Sequence, residues 1–309
     1  MAIQPDEIER GGLLEALAPE GVTNAKLLRW VQAGLLPRPR REGLGQGQGG
    51  VSYYPRIAVR QAKALAELLR RQRSLDEAGW RLWLVGYPVT PFARALLLKD
   101  LAAEERVLRE ELAREKRGEP RRIAAALTRN RGDASLTRLE GMLSRSGLQT
   151  MGRILVEQRL GTLDTSQYSD DALEAYGDAT IAMLWPELVD HPGLAGLDDF
   201  RAGLQQLSND ASIGRLRALV READDKLLVV TRNEVQWLME YFRDPLASDY
   251  PFAERGDFLR VLRLRMEPEG PKRMAQLMKA LGHTRVPPSP LQRALQGRGT
   301  PPSTASPDE

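Results

Sequence analysis

The chain has 309 residues and a net charge of +3, and 42% of its residues are apolar and 28% charged. It contains no cysteine, which excludes disulfide bonds, thiolate catalysis and cysteine-ligated metal sites. Aromatic residues make up only 6%, and the many Ala, Leu, Arg and Glu residues favour helices. The first ten residues are acidic and polar, and no apolar stretch reaches the ~20 residues of a membrane span. We therefore expect a cytoplasmic protein with no membrane partner.

Charge is distributed unevenly along the chain. Residues 23–73 contain eleven Lys or Arg against two Asp or Glu, and residues 120–160 contain eight against three. Residues 161–210 reverse this balance, with one basic residue against ten acidic ones. A basic end and an acidic middle indicate a module that binds a polyanion, joined to a surface of different character.

Caps and breakers predict the first elements of the chain. Residues 1–12 are predicted to form a flexible leader, and residues 13–18 a short helix that Pro19 ends. Thr23 is a favourable N-cap for a second helix that runs to about Ala33. The apolar residues that recur there at helical spacing, and are predicted to face the core, are Leu27, Leu28 and Val31.

The segment after this helix is predicted to be a hairpin. Gly34 ends the helix, and Pro37 and Pro39 prevent its continuation. Residues 43–50 form a glycine-rich loop, and residues 51–54 are strand-like. A small two-stranded β structure with a long tip is therefore expected.

Three more helices are predicted before residue 118. Residues 56–73 form the first, and Ser74 with Glu77 makes the capping-box pattern of the second, which ends near Val85. Residues 92–117 form a longer helix with a partly heptad-like seam of the kind that pairs two chains. The seam residues are Leu97, Leu101, Leu108 and Leu112.

The rest of the chain is predicted to be helical up to a tail rich in Pro, Ser, Gly and Thr. The predicted helices cover residues 121–129, 134–146, 148–160, 169–185, 197–208, 213–242, 252–266 and 271–281. These helices are grouped into one domain, residues 120–283, and residues 284–309 are predicted to be a disordered tail.

Several short motifs follow one another in the first ninety residues. They are Val22-Thr23, Leu27, Gly34-Leu35-Leu36-Pro37, Arg40-Arg41, Gly50, Tyr54 and Ser74-Leu75-Asp76-Glu77. This set resembles the MerR-like winged helix-turn-helix family. In that family these positions mark the recognition helix, its junction with the wing, the wing tyrosine and the start of a fourth helix. Members are typically dimeric DNA-binding regulators whose subunits join through a long helix after this module.

The resemblance implies a mainly α fold with an N-terminal winged helix-turn-helix and a small β wing. It places this DNA-binding domain at residues 13–90 and a connecting and dimerisation helix at residues 91–118. The all-helical region of residues 120–283 is then an effector or partner domain. We accordingly expect a sequence-specific transcriptional regulator that binds double-stranded DNA as a homodimer and responds to an unknown protein or small molecule.

The residues predicted to contact DNA lie on the second helix and on the hairpin. The helix start and its cations reach phosphates and base edges, and the wing arginines follow the phosphate backbone. Trp30 is equally well explained as a core residue, and one of the two adjacent tyrosines must point inward if they lie on a strand. The full set is Thr23, Asn24, Lys26, Arg29, Trp30, Arg38, Arg40, Arg41, Tyr53, Tyr54 and Arg56.

No sequence motif of catalysis or metal binding was found, so we predict no enzymatic activity, no metal and no cofactor. The two histidines, His191 and His283, lie 92 positions apart, whereas a metal site needs clustered ligands. The glycine-rich loop of residues 43–50 is followed by a strand, whereas a nucleotide-binding loop leads directly into a helix.

Two other functions fit the same sequence. The first is a protein-interaction adaptor that uses the winged module as a docking scaffold and binds a basic partner through the acidic helices of residues 164–199. The second is a DNA-binding factor of a mobile element, which the sequence does not separate from a regulator. A second basic stretch at residues 121–145 either extends the DNA contact or pairs with the acidic segment.

Overall fold

The computed structural model describes residues 6–43, 50–71, 74–116, 145–176, 205, 209, 212–241, 255–268, 271–272 and 275–276. Helices account for 76% of these residues, and a small antiparallel sheet lies near the N-terminus. The labelled elements are β1 (Glu7–Glu9), α1 (Arg10–Leu17), α2 (Asn24–Gln32), β2 (Arg40–Gly43), β3 (Gly50–Pro55), α3 (Ile57–Arg71), α4 (Leu75–Val85), α5 (Thr90–Lys116), α6 (Arg145–Leu160), α7 (Ile213–Glu222), α8 (Asp225–Tyr241) and α9 (Arg255–Met266).

The sheet has three strands in the order β1-β3-β2, and both pairings are antiparallel. Strands β2 and β3 are the predicted hairpin, and most of its glycine-rich tip lies outside the described residues. Strand β1 lies inside the segment predicted to be a flexible leader, so that prediction is corrected for residues 7–9. A three-residue strand has no local signal of its own, because it exists only through its hydrogen bonds to β3.

Helix α2 begins and ends where the sequence predicted. The Thr23 hydroxyl accepts a hydrogen bond from the Lys26 amide at 3.3 Å, which is the expected N-cap contact. Leu27 and Trp30 are buried, whereas Leu28 is 38% exposed, so the prediction that Leu28 faces the core is wrong. Large apolar residues spaced three apart set the buried face of this short helix, and that pair is Leu27 with Trp30.

Helices α3 and α4 also match their predicted positions, but the predicted capping box is absent. The Ser74 side chain makes no capping hydrogen bond. Glu77 instead pairs with Arg81 at 3.0 Å and with Arg255 at 3.3 Å. An ion pair with a residue of α9 is a tertiary contact, which the capping pattern along the chain does not reveal.

Helix α5 matches the long helix predicted for residues 92–117. Its leucine seam is already covered within one chain, because Leu97, Leu101 and Leu108 are 1%, 2% and 6% exposed. Pairing of two chains through these leucines would require them to leave their present contacts.

The chain divides into two compact units, one of Met1–Leu97 with Ala223–Glu309 and one of Leu98–Glu222. The division differs from the single helical domain predicted for residues 120–283, because α8 packs against α4 in the first unit. The predicted helix over residues 213–242 is in fact two helices, α7 and α8. Asp224 separates them, and its carboxylate accepts a hydrogen bond from the Leu227 amide at 2.6 Å, which starts α8.

Other predicted elements are described only in part. Helix α6 covers the end of one predicted helix and all of the next, without a break between them. The predicted helix over residues 121–129 and the predicted tail of residues 284–309 lie outside the described residues. Among the described helices, none has both the length and the apolarity needed to cross a bilayer.

Candidate nucleic-acid interface

The start of α2 and one side of the helix are exposed to solvent. Thr23, Asn24, Lys26 and Arg29 are all exposed. The Lys26 ammonium group donates a hydrogen bond to the Gly21 carbonyl at 3.0 Å, which leaves its other two N–H groups available. No ion pair is present for Arg29 within the described residues. This helix therefore presents two cations at its surface.

Two of the predicted contact residues are core residues. Trp30 is 2% exposed and Tyr54 is 1% exposed, so neither side chain is available to a ligand at the surface. Tyr54 lies opposite Ile8 of β1, on the face of the sheet that packs toward α1. As predicted, one tyrosine of the pair points inward and the other, Tyr53, does not. Burial raises the pKa of the Tyr54 hydroxyl.

Arg40 is held by groups of its own sheet. Its guanidinium donates to both carboxylate oxygens of Glu7, at 3.0 and 2.7 Å, and to Glu42 at 3.1 Å. The same group lies 4.7 Å from the centre of the Tyr53 ring. These carboxylates raise the pKa of Arg40 above its ordinary value. Because two acidic groups already contact it, Arg40 has little charge to offer a polyanion.

Arg41 points to the opposite face of the sheet from Arg40. It lies across from Ser52, whereas Arg40 lies across from Tyr53, and neighbouring residues of a strand alternate between faces. The face of Arg41 is therefore the face of Tyr54. The positive charges of Arg41 and Arg10 both act on the Tyr54 hydroxyl and lower its pKa against the larger effect of burial.

Arg10 connects this face with the start of α2. Its guanidinium donates a hydrogen bond to the Asn24 side-chain oxygen at 2.5 Å. We call Arg10, Asn24, Arg41 and the Tyr54 hydroxyl the Arg10–Arg41 cluster. Within the described residues no carboxylate contacts either arginine. The cluster lies beside the N-terminus of α2, where backbone N–H groups and the helix dipole also favour negative charge.

The remaining predicted residues flank the hairpin. Arg38 and Arg56 are exposed, one before β2 and the other after β3. The Arg56 backbone amide donates to the Asp6 carbonyl at 2.7 Å, which fixes the chain at the end of the sheet. Their side chains are in no ion pair within the described part of the chain.

Arg10 is a member of this surface that the sequence did not predict. It follows the acidic segment Glu7-Ile8-Glu9 in the predicted leader, so nothing in its neighbourhood indicates a basic surface. The missing signal is strand pairing, because β1 is what places Arg10 at the start of α1 and near Asn24.

The described residues contain no group of three His, Cys, Asp or Glu side chains arranged to hold a metal ion. No family model, curated protein or solved structure matches the chain. The character of this surface is therefore judged from its own charges and geometry.

Proposed function

We propose that the protein is a sequence-specific DNA-binding transcriptional regulator of the cytoplasm, built on a MerR-like winged helix-turn-helix. The order of elements in the first unit supports this proposal. Helices α1 and α2 are joined by a short turn, the antiparallel hairpin β2–β3 follows, and α3 and α4 complete the module. In such a module the second helix enters the major groove and the hairpin lies along the backbone.

The observation that carries the proposal is the Arg10–Arg41 cluster. Two guanidinium groups from different elements approach one hydroxyl beside a helix N-terminus, and no described carboxylate neutralises them. A DNA phosphate supplies the missing negative charge and accepts paired hydrogen bonds from arginine. The predicted wing contact is thereby revised: it assigns the backbone contact to Arg41 and Arg10, not to Arg40.

The exposed side of α2 supplies candidates for reading bases. Arg29 is exposed in the middle of the helix, and Gln32 is exposed one turn further on. Arg recognises the O6 and N7 atoms of guanine, and Gln recognises the N6 and N7 atoms of adenine. We propose that these two side chains carry sequence preference while Lys26 binds phosphate.

A homodimer belongs to the same proposal. Of the described α5 side chains, Val107 is 46% exposed, whereas Leu101 and Leu108 are buried. A dimer joined through α5 would therefore use the side of the helix that carries Val107. Selection of bound duplexes from a random pool tests both points, because a dimer with two-fold symmetry selects a palindrome.

The decisive measurement is the salt dependence of duplex binding by fluorescence anisotropy. Each phosphate contact contributes about −0.9 to the slope of log K against log salt. Arg40→Ala and Arg41→Ala form a matched pair, because these neighbours lie in one strand and point to opposite faces. We expect Arg41→Ala to reduce the slope by about one and Arg40→Ala to leave it unchanged.

Circular dichroism of both variants confirms that they remain folded. Equal effects of the two substitutions would show that the face of Arg41 does not contact DNA. Absence of duplex binding at low salt would end the proposal.

The adaptor stays a second candidate because two predicted DNA contacts, Trp30 and Tyr54, are buried and Arg40 is already paired. It also has exposed carboxylates at Asp164 and Asp170. An adaptor would show no salt-dependent duplex binding and would bind a polylysine-rich peptide through that segment.

A further inference from the structure

Arg232 of α8 is a buried cation that no carboxylate neutralises within the described residues. It is 3% exposed, and its hydrogen-bond partners in that part of the chain are the Asn233 side-chain oxygen and the Trp83 backbone carbonyl. Burial lowers the pKa of Arg232 to about 10. Removing a guanidinium from water without an opposite charge costs several kcal/mol, so this arrangement is unusual.

The other arginines of this region are paired. Arg265 donates two hydrogen bonds to the fully buried carboxylate of Glu234, two residues along α8 from Arg232. Arg94 pairs with Asp225 at 2.7 Å, at the start of the same helix. The described part of the chain therefore provides carboxylates for the neighbouring arginines and withholds one from Arg232.

The geometry around Arg232 matches a carboxylate that is absent. Its Nε and Nη2 atoms both donate to one oxygen of Asn233, at 3.0 and 2.9 Å. This edge of a guanidinium normally receives two parallel hydrogen-bond acceptors, which are the two oxygens of a carboxylate. The neutral amide of Asn233 occupies the position with a single acceptor and no charge.

An aromatic cluster lies beside the guanidinium. The Arg232 side chain lies 5.6 Å from the centre of the Trp83 ring, which is within reach of a cation–π interaction. The Trp83 ring centre lies 4.9 Å from that of Trp80 and 5.1 Å from that of Phe258. Such a cluster favours a ligand with an apolar ring, because ring pairs gain both buried area and oriented contacts.

We propose that Arg232 is the recognition residue of a binding site for a small aromatic carboxylate, between α4 and α8. The ligand's carboxylate replaces Asn233 at the Nε–Nη2 edge and neutralises the guanidinium. Its ring contacts the Trp80, Trp83 and Phe258 cluster. Asn233 is 8% exposed, so rotation of its side chain is the smallest movement that opens this edge. The site is independent of DNA binding.

The test is ligand binding by the full chain in the absence of DNA. Benzoate and indole-3-acetate are the aromatic carboxylates, acetate lacks the ring, and benzamide lacks the charge. We expect benzoate or indole-3-acetate to raise the unfolding midpoint by a saturable 2–4 °C or more, at roughly ten times the dissociation constant. Acetate should bind more weakly, and benzamide should give no shift.

Two variants assign the response to Arg232. In Arg232→Met the shift should disappear, while the unliganded midpoint stays equal to or above that of the wild type, because an uncompensated buried charge is removed. Arg232→Lys should bind at least about tenfold more weakly, since an ammonium group cannot make the paired hydrogen bonds. Arg255→Met is the control, because Arg255 contacts the same aromatic cluster but already pairs with Glu77.

Several results would overturn the proposal. No saturable shift from any of the three carboxylates is one, and an equal shift in Arg232→Met is another. If Arg232→Met does not fold, tryptophan fluorescence titration of the wild type with benzoate and benzamide decides the matter. Equal responses to the two compounds would exclude a site that depends on the carboxylate.

Discussion

The two compact units use their arginines differently. Around α2 and the hairpin, apolar packing holds the elements together, and Arg29 and Arg41 are left without a described carboxylate partner. In the second unit, ion pairs join the helices. Arg217 of α7 and Arg109 both contact Glu105 of α5. Arginines that hold a fold together are not available to a ligand, so a count of charges along the chain does not locate a binding surface.

The largest expected effect comes from disturbing the apolar packing of the first unit. A Cβ atom at Gly79 of α4 would approach the Leu35 Cδ2 and the Phe92 Cζ atoms, both at 2.6 Å. We expect Gly79→Ala to lower the free energy of unfolding by about 1–3 kcal/mol, because Leu35 is fully buried and has no space to move. Urea denaturation measures this.

The control is Gly214→Ala in α7 of the second unit. A Cβ atom at this exposed glycine would meet no other described atom within 4 Å. Alanine there should raise the free energy of unfolding by roughly 0.5–1 kcal/mol, since it restricts the unfolded helix segment. Equal losses at the two glycines would contradict the proposed difference in packing.

The next effect concerns the unpaired cations. The double variant Arg29→Ala, Arg41→Ala should reduce the salt slope of duplex binding by about two and the affinity at low salt by about tenfold or more. Arg109→Ala should leave both quantities unchanged, because Arg109 pairs with Glu105 in the second unit. Anisotropy titrations at several salt concentrations compare the three proteins. A loss of affinity in Arg109→Ala would show that paired arginines also contact DNA.

A smaller effect is expected from acid on the second unit. Hydrogen bonds from Arg109 and then Arg217 hold the pKa of Glu105 below its ordinary value of 4.5, against a desolvation effect. A carboxylate whose pKa is lower in the folded state stabilises that state above the unfolded pKa. Its contribution is lost as the pH falls below about 4.5 toward the folded pKa.

Glu105→Gln should therefore show a shallower loss of stability with acid than the wild type, as followed by thermal unfolding between about pH 6 and pH 3. The difference should be modest, because partly exposed ion pairs contribute about 0–1 kcal/mol. Identical pH profiles for the two proteins would show that these ion pairs do not hold the second unit together.

The smallest effect is expected at Arg40. Replacing it by alanine removes its contacts with Glu7 and Glu42 on an exposed face of the sheet. The unfolding midpoint should fall slightly, and less at high salt, because solvent ions screen exposed pairs. A change in duplex binding without a change in midpoint would reverse the roles assigned to Arg40 and Arg41.

Much of the local structure could be predicted because its causes lie within a few residues of one another. The Thr23 cap and the left-handed Gly34, with φ of 75°, fix the two ends of α2. Gly86, with φ of 120°, ends α4 in the same way. The alternation of a strand also predicted that only one of two neighbouring tyrosines points inward, and Tyr54 is that residue.

The candidate site could be predicted less well than the helices that carry it. The helical phase predicted for α2 includes Leu28 in the core, whereas the larger ring of Trp30 takes the buried position. Arg40 and Arg41 are neighbours in the sequence, and nothing local distinguishes them. Strand pairing gives them opposite faces, and of the two it is Arg41 that lies near Arg10.

The sequence by itself determined the mainly helical character, the ends of the first helices and the hairpin. The tertiary structure alone decided which charges are free, since the partners of a charge come from distant parts of the chain. Glu7 lies 33 positions from Arg40, and the Trp83 carbonyl lies 149 positions from Arg232. Caps and turns depend on backbone geometry over about four residues. Charge compensation depends on which elements meet, and that follows from the packing of the whole unit.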